Sequence, residues 1–149
     1  AQALIDAGVD CIVLDIAHAH SDFAIQRLKE LKANFTVDVM VGNIATAEAA
    51  KDLIEAGADG LKVGVGPSPV CSTREMTGAG VPQWTAVSDV CAVASQYGVP
   101  VAADGGLKTP GDCAKALAAG ASTCFSGSFF AGTYEAPGMI IMKDGKEIQ

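Results

Sequence analysis

The stretch "GVGPSPVCSTREMTGAGVPQ", residues 64–83, places a cysteine in a run of Gly, Pro, Ser and Thr just after an apolar, strand-like segment. A thiolate is a soft nucleophile, and positive charge or backbone amides beside it keep more of the sulfur in that reactive form. Cys71 has Gly64 and Gly66 before it and Arg74 after it, a setting that suits a nucleophile on a loop. Spacing alone favours the plainer reading, an incidental surface thiol. "DGG" at 104–106 and "GS" at 127–128 also follow strand-like runs. Glycines there let backbone approach a phosphate, and Asp104 is then placed to accept from a sugar hydroxyl; two tight turns explain the same glycines equally well. Lys62 in "GLKVG" fits either a Schiff-base lysine or a structural cation, and the second leaves the Cys71 loop a role. "HAH" at 18–20 has no carboxylate or cysteine cluster beside it, so strand-end capping outweighs metal ligation. "GVG" at 64–66 lacks the continuation of a dinucleotide fingerprint.

These residues need elements to position them. A phrase recurs as "ALIDAGVD", "LIEAGADG" and "ALAAGAST", with "ASQYGVPV" as a looser copy. Each is an apolar helix end, a glycine and a strand start, the punctuation of successive αβ units. Between the copies lie short apolar runs at 11–16, 37–42, 60–65, 99–104 and 122–127. Near-continuous apolarity suits parallel strands covered on both faces. Helical periodicity fills the gaps, with Ser21 and Thr109 as N-caps and Asp112 closing a capping box. The alternation is that of an α/β fold. Every predicted strand ends in glycine or polar residues, which both a doubly wound sheet and a (β/α)8 barrel place at the site. A barrel converges all of them on one point, and is preferred. Since a whole barrel takes about 250 residues, residues 1–149 read as one part of a barrel domain, with further strands expected before Ala1.

Composition narrows the function. Half of the 149 residues are apolar and the net charge is −7, with no basic stripe for nucleic acid. No run is long enough to cross a membrane. Five cysteines without a CxxC spacing point to a reducing, cytoplasmic setting. Cys11, Cys91, Cys113 and Cys124 read as small buried hydrophobes.

Together "VDCIVLDIAHAHS", "VDVMVGNIATAEAAKDLIEAGADGLKVGVGP", "VCSTREMTGAGVPQ", "GVPVAADGGLKTPGDCAKALAAGAS" and "GSFFAGTYEAPG" resemble, in order and over nearly the whole chain, the catalytic barrel of the IMP dehydrogenase and GMP reductase family. The resemblance implies strands 4 to 8 of a (β/α)8 barrel. It implies that Cys71 attacks C2 of a bound purine nucleotide, IMP or GMP, with Thr73 beside the reacting base. Asp104 would bind ribose, Gly105 would lie at the substrate, and Gly106, Gly127 and Ser128 would hold its phosphate. Asp15 and Asn43 would face an NAD or NADP cofactor, with Gly64 and Gly66 shaping the loop. Carbonyls of Gly64, Gly66 and Cys71 would hold potassium, and the assembly would be a homo-oligomer, a tetramer in most of the family.

The chain departs from the family pattern at Ser68 and Pro69. Pro69 stands where the family has a phosphate-contacting serine and offers neither hydroxyl nor N–H. Ser68 stands where a glycine shapes the ion-binding turn. The family's Arg-Tyr flap would lie beyond Gln149. "DIAHAHS" and "AGTYEAPG" resemble IMP dehydrogenases, whereas "KTPGD" resembles GMP reductases. The expectation is oxidation of IMP to XMP with NAD. Reduction of GMP to IMP with NADPH is the alternative, and a non-catalytic, degenerate nucleotide-binding fragment the second alternative.

Overall fold

A computed structural model describes residues 1–138, 141–144 and 146–148. Five parallel strands, β1 (Cys11–Asp15), β2 (Asp38–Ile44), β3 (Gly60–Val63), β4 (Val101–Asp104) and β5 (Thr123–Phe125), form one sheet in the order β1-β2-β3-β4-β5. Each lies inside or beside the apolar run that predicted it. An order that follows the sequence has no switch point, which separates it from a doubly wound sheet. The arrangement is part of a (β/α)8 barrel.

Helix α1 (Gln2–Asp6) precedes β1, and α2 (Asp22–Asn34), α3 (Ala47–Glu55), α4 (Thr73–Thr77), α5 (Gln83–Tyr97) and α6 (Pro110–Ala118) lie between the strands in sequence. The Ser21 and Thr46 side chains accept from Ala24 N and Ala49 N, satisfying amides that lack partners inside α2 and α3. Thr109 and Asp112 form the reciprocal capping box on α6. The recurring phrase has one physical meaning. Gly8, Gly57, Gly98 and Gly120 all have positive φ, where a Cβ is penalised, and each turns a helix end into a strand.

The core lies between the sheet and its helices. Leu61 and Val63 of β3 are fully buried with Val39, Val41 and Ile44 of β2, Leu28 of α2, Leu53 of α3 and Val87 and Val90 of α5. Side chains alternate along a strand, so Lys62, between Leu61 and Val63, points to the other face.

The structure adds two elements that the sequence reading omits. One is α4, inside the predicted loop. The other is an antiparallel pair, β6 (Ile141–Lys143) with β7 (Lys146–Ile148). It also corrects the expectation for Cys11, which is exposed because β1 is an outer strand of the sheet; Cys113 and Cys124 are half-buried, and only Cys91 is buried.

Candidate active site

The carboxyl ends of β1 to β4 meet around Lys62. This lysine is 3% exposed, the one buried charged residue among those described. Its Nζ lies 2.5 Å from Asp104 Oδ2 at the end of β4 and 3.2 Å from Asp15 Oδ1 at the end of β1. Burying an ammonium is costly unless it is paired and hydrogen-bonded, and two carboxylates meet that need. The ring of Phe125, with its centroid 4.9 Å from Nζ, adds a cation–π contact. Paired on two sides, Lys62 stands as a structural cation rather than an amine nucleophile.

Asn43, in β2, completes the group. Its Nδ2 donates to Asp104 Oδ2 at 2.9 Å and to the Gly64 carbonyl at 2.6 Å, while its buried Oδ1 has no partner among the described residues. Both side-chain contacts to Asp104 therefore fall on Oδ2. That leaves Oδ1 as an acceptor for a donor entering the cleft.

The cysteine loop leaves β3 through Gly64, where φ is +147° and an added Cβ would lie 2.0 Å from the Asp104 carbonyl oxygen. Only glycine lets these two strand ends touch. The Cys71 amide donates to the Ser68 carbonyl at 3.1 Å, closing a turn with Pro69 at its second position. Proline pre-sets φ for that position, so the departure at Pro69 also stiffens the turn that presents Cys71. Beyond the turn, Cys71 Sγ lies 3.2 Å from Thr73 Oγ1. Hydrogen bonds from the Thr73 hydroxyl and amide, with the Arg74 charge nearby, hold this thiol below its ordinary range. By contrast, burial pushes the Cys91 thiol up.

A cleft of about 230 Å³ gathers Cys71, Thr73, Asp104, Gly105, Asp15, Asn43, Gly64 and Gly66, together with Lys62. Three predicted residues do not line it. Gly106 opens onto a neighbouring hollow beside Trp84, and Gly127 onto another beside Phe130; Ser128 lines neither. Pro67 packs over Gly105 and Gly106, within 2.9 Å and 3.2 Å of where their Cβ atoms would be. The two glycine turns are nevertheless neighbours, since the Gly105 amide donates to the Phe125 carbonyl and the Ser126 hydroxyl to the Leu107 carbonyl. Gly105 thus offers an absent side chain, not an amide, to a ligand. Elsewhere, His20 pairs with Asp52 at 2.9 Å, and the described residues contain no metal-ligating group of His, Cys, Asp or Glu.

Lys62 was a candidate by residue type, and its pairings with Asp15 and Asp104 favour the structural cation. A further residue at these strand ends escapes a reading by residue type. Gln83, the first residue of α5, donates from Nε2 to the carbonyls of Val63 at 2.9 Å and Asp104 at 3.1 Å. It stitches β3 to β4 where their ladder ends. No periodicity signals this bond; the "PQ" that opens α5 is the only trace in the sequence.

A profile for the IMP dehydrogenase / GMP reductase domain matches residues 1–149. GMP reductase of Leishmania donovani is 58% identical over all of this chain, which spans 31% of that relative. Inosine-5'-monophosphate dehydrogenase of Cryptosporidium parvum is 55% identical over 93% of this chain and 34% of its own length. A crystal structure of Trypanosoma brucei GMP reductase in complex with guanosine 5'-monophosphate matches with a TM-score of 0.93 at 54% identity, over 97% of this chain and 31% of that one. The chain spans about a third of the length of these relatives. Matched end to end by the domain profile and by relatives of both names, it belongs to the IMP dehydrogenase / GMP reductase family.

Proposed function

We propose that this chain carries the nucleophile and the ribose-binding carboxylate of a purine nucleotide oxidoreductase. One observation supports the reading above the others: Cys71, with its thiol held low by Thr73, shares a single cleft with Asp104. As a thiolate, Cys71 adds to C2 of the purine: its electron pair forms the S–C2 bond, the C2=N3 π pair moves onto N3, and N3 takes up the proton that the thiol gave up. The Thr73 hydroxyl, 3.2 Å from the sulfur, stabilises the anion before attack and again when the bond breaks. Asp104 Oδ1 accepts from a ribose hydroxyl, while Lys62 and Asn43 fix the carboxylate through Oδ2. The turns at Gly106 and at Gly127–Ser128 are the proposed phosphate grip, as the resemblance implies.

Asp15 and Asn43 both line the cleft and would face the nicotinamide cofactor, as the resemblance implies. A nicotinamide held here would supply or accept the hydride at C2. In the reductive direction the N3 pair would restore C2=N3 as the protonated exocyclic amine leaves as ammonia, and Cys71 would depart with the S–C2 pair once C2 carries hydrogen, giving IMP. Potassium at Gly64, Gly66 and Cys71 fits less well, since the Gly64 carbonyl already accepts from Asn43 at 2.6 Å. No step is assigned to it. Assembly as a homo-oligomer rests on the family resemblance.

Reduction of GMP to IMP is the first reading, because relatives named GMP reductase reach 58% and 57% identity. Oxidation of IMP to XMP is the second, supported by "DIAHAHS", by "AGTYEAPG" and by IMP dehydrogenases at 55% and 53% identity. The test incubates the natural full-length protein with GMP and NADPH, or with IMP and NAD, and follows reduced-cofactor absorbance. The first pair is expected to turn over and Cys71→Ala to abolish it. Turnover of IMP and NAD alone would reverse the direction. Stabilisation by either nucleotide without turnover would identify a non-catalytic binding domain.

A further inference from the structure

Arg74 is fixed in the cysteine loop in a way that its charge alone does not require. Its Nε donates to the Val65 carbonyl at 2.8 Å and its Nη2 to the Val81 carbonyl at 2.7 Å. Val65 lies where the loop leaves β3, and Val81 lies just before the Pro82 that precedes α5. One guanidinium therefore ties together the two ends of the excursion that carries Cys71. The side chain passes between two glycines. A Cβ on Gly66 would lie 2.8 Å from Arg74 Cγ, and one on Gly80 would lie 2.8 Å from Nε and 2.9 Å from Cγ and Cδ. Gly66 adjoins Val65 and Gly80 adjoins Val81, so each glycine opens the slot beside a carbonyl that the guanidinium uses. Among the described residues, the other hydrogen bonds of segment 66–80 are local, such as Cys71 N to Ser68 O and Gly78 N to Arg74 O. Loop closure costs entropy, and only Arg74 makes bonds that oppose that cost across the whole segment.

We propose that Arg74 is a positioning residue for Cys71: a bolt, seated in the Gly66–Gly80 slot, that holds the loop in the one geometry from which the sulfur reaches its target. The structural part of the proposal stands by itself, and its kinetic consequence rests on the nucleophile reading of Cys71. A guanidinium presents several N–H donors in a rigid fork, whereas lysine has one nitrogen on a flexible stem and cannot span both carbonyls. Arg74→Lys thus separates a bolt from a nearby charge.

The experiment uses the natural full-length protein carrying Arg74→Lys, Arg74→Ala, Gly80→Ala or Gly80→Ala with Arg74→Ala. Steady-state kinetics, hydrogen exchange of amides 65–82 and the pH dependence of Cys71 alkylation by iodoacetamide, followed on its peptide, are measured for each. Arg74→Lys is expected to lower kcat on the order of a hundredfold, the scale of a misplaced reacting group. KM for the nucleotide and the midpoint of the alkylation profile stay near wild type, while exchange in the loop speeds up. The backbone of Gly80 lies outside the left-handed region, so a methyl there strains only the slot. Gly80→Ala reproduces the Arg74→Lys behaviour and adds nothing in the Arg74→Ala background; it also keeps the proposal testable should Arg74→Lys fail to fold. Wild-type kcat and exchange in Arg74→Lys, or an equal Gly80→Ala effect in both backgrounds, overturns the bolt. If Cys71→Ala remains active, the nucleophile reading fails, and the exchange data still decide the role of Arg74.

Discussion

At the scale of single residues, the thiol of Cys71, the proposed nucleophile, is held low by close neighbours. Removing the Thr73 hydroxyl takes away the largest influence that lowers this thiol, so Thr73→Val raises the midpoint of the alkylation profile and slows alkylation at neutral pH. An unchanged midpoint would remove Thr73 from the account. Asp104 has a structural role besides the proposed binding one. Asp104→Asn leaves Lys62, whose side chain is 4% exposed, with only the half-exposed Asp15 as ionic partner. Breaking a buried pair in this way costs about 3 kcal/mol, measurable by denaturant unfolding, and KM for the nucleotide rises as well. Residue type made Cys71, Asp104 and Asn43 legible in the sequence, because each carries chemistry and follows a strand-like run. Lys62 and Arg74 were legible only as cations, and Gln83 not at all. Their importance lies in pairings that depend on how β3, β4 and α5 come together, and no local pattern encodes that.

At the scale of elements, the sequence was most readable where local chemistry agrees with tertiary structure. The caps at Ser21, Thr46 and Thr109 and the four phrase glycines mark nearly every junction. Short α4 was hidden because "STREMT" lies among Gly, Pro and Thr that read as loop, and its five residues carry no amphipathic repeat. The β6–β7 pair flanks an Asp-Gly dipeptide, the one hairpin signal in its sequence. Two predictions belong here. Hydrogen bonds from Lys115 and from Thr109, then from the Lys108 amide, hold the Asp112 carboxyl at about 2. A depressed carboxyl stabilises the fold above its unfolded value of 3.8 and loses that contribution as pH falls toward about 2. Hydrogen exchange at the start of α6 is therefore expected to accelerate over that window, and Thr109→Ala to cost about 1 kcal/mol. Gly64→Ala should destabilise by more than about 2 kcal/mol, since its methyl has no room against the Asp104 carbonyl and its φ is disfavoured. A thermal melt matching wild type would contradict the close approach of β3 and β4.

At the scale of the whole molecule, parallel strands in sequence order turn five separate strand ends into one surface. This is why Asp15, Asn43, Lys62 and Asp104, far apart in the chain, share one charge network. The part of the site expected from the glycine turns was only partly legible: Gly105 joins the cleft, whereas Gly106, Gly127 and Ser128 face away from it or lie beside it. A glycine turn specifies a close approach of backbone without naming what approaches, and at Gly105 and Gly106 it is Pro67. The central claim is that Cys71 bonds covalently to a purine nucleotide, and the most direct measurement is the mass of its peptide. Full-length protein is acid-quenched during turnover with GMP and NADPH, or with IMP and NAD, then digested and weighed. A nucleotide adduct on the Cys71 peptide is expected, and neither adduct nor turnover in Cys71→Ala. Wild-type turnover in Cys71→Ala, with the native Cys71 peptide unmodified throughout, would contradict that claim.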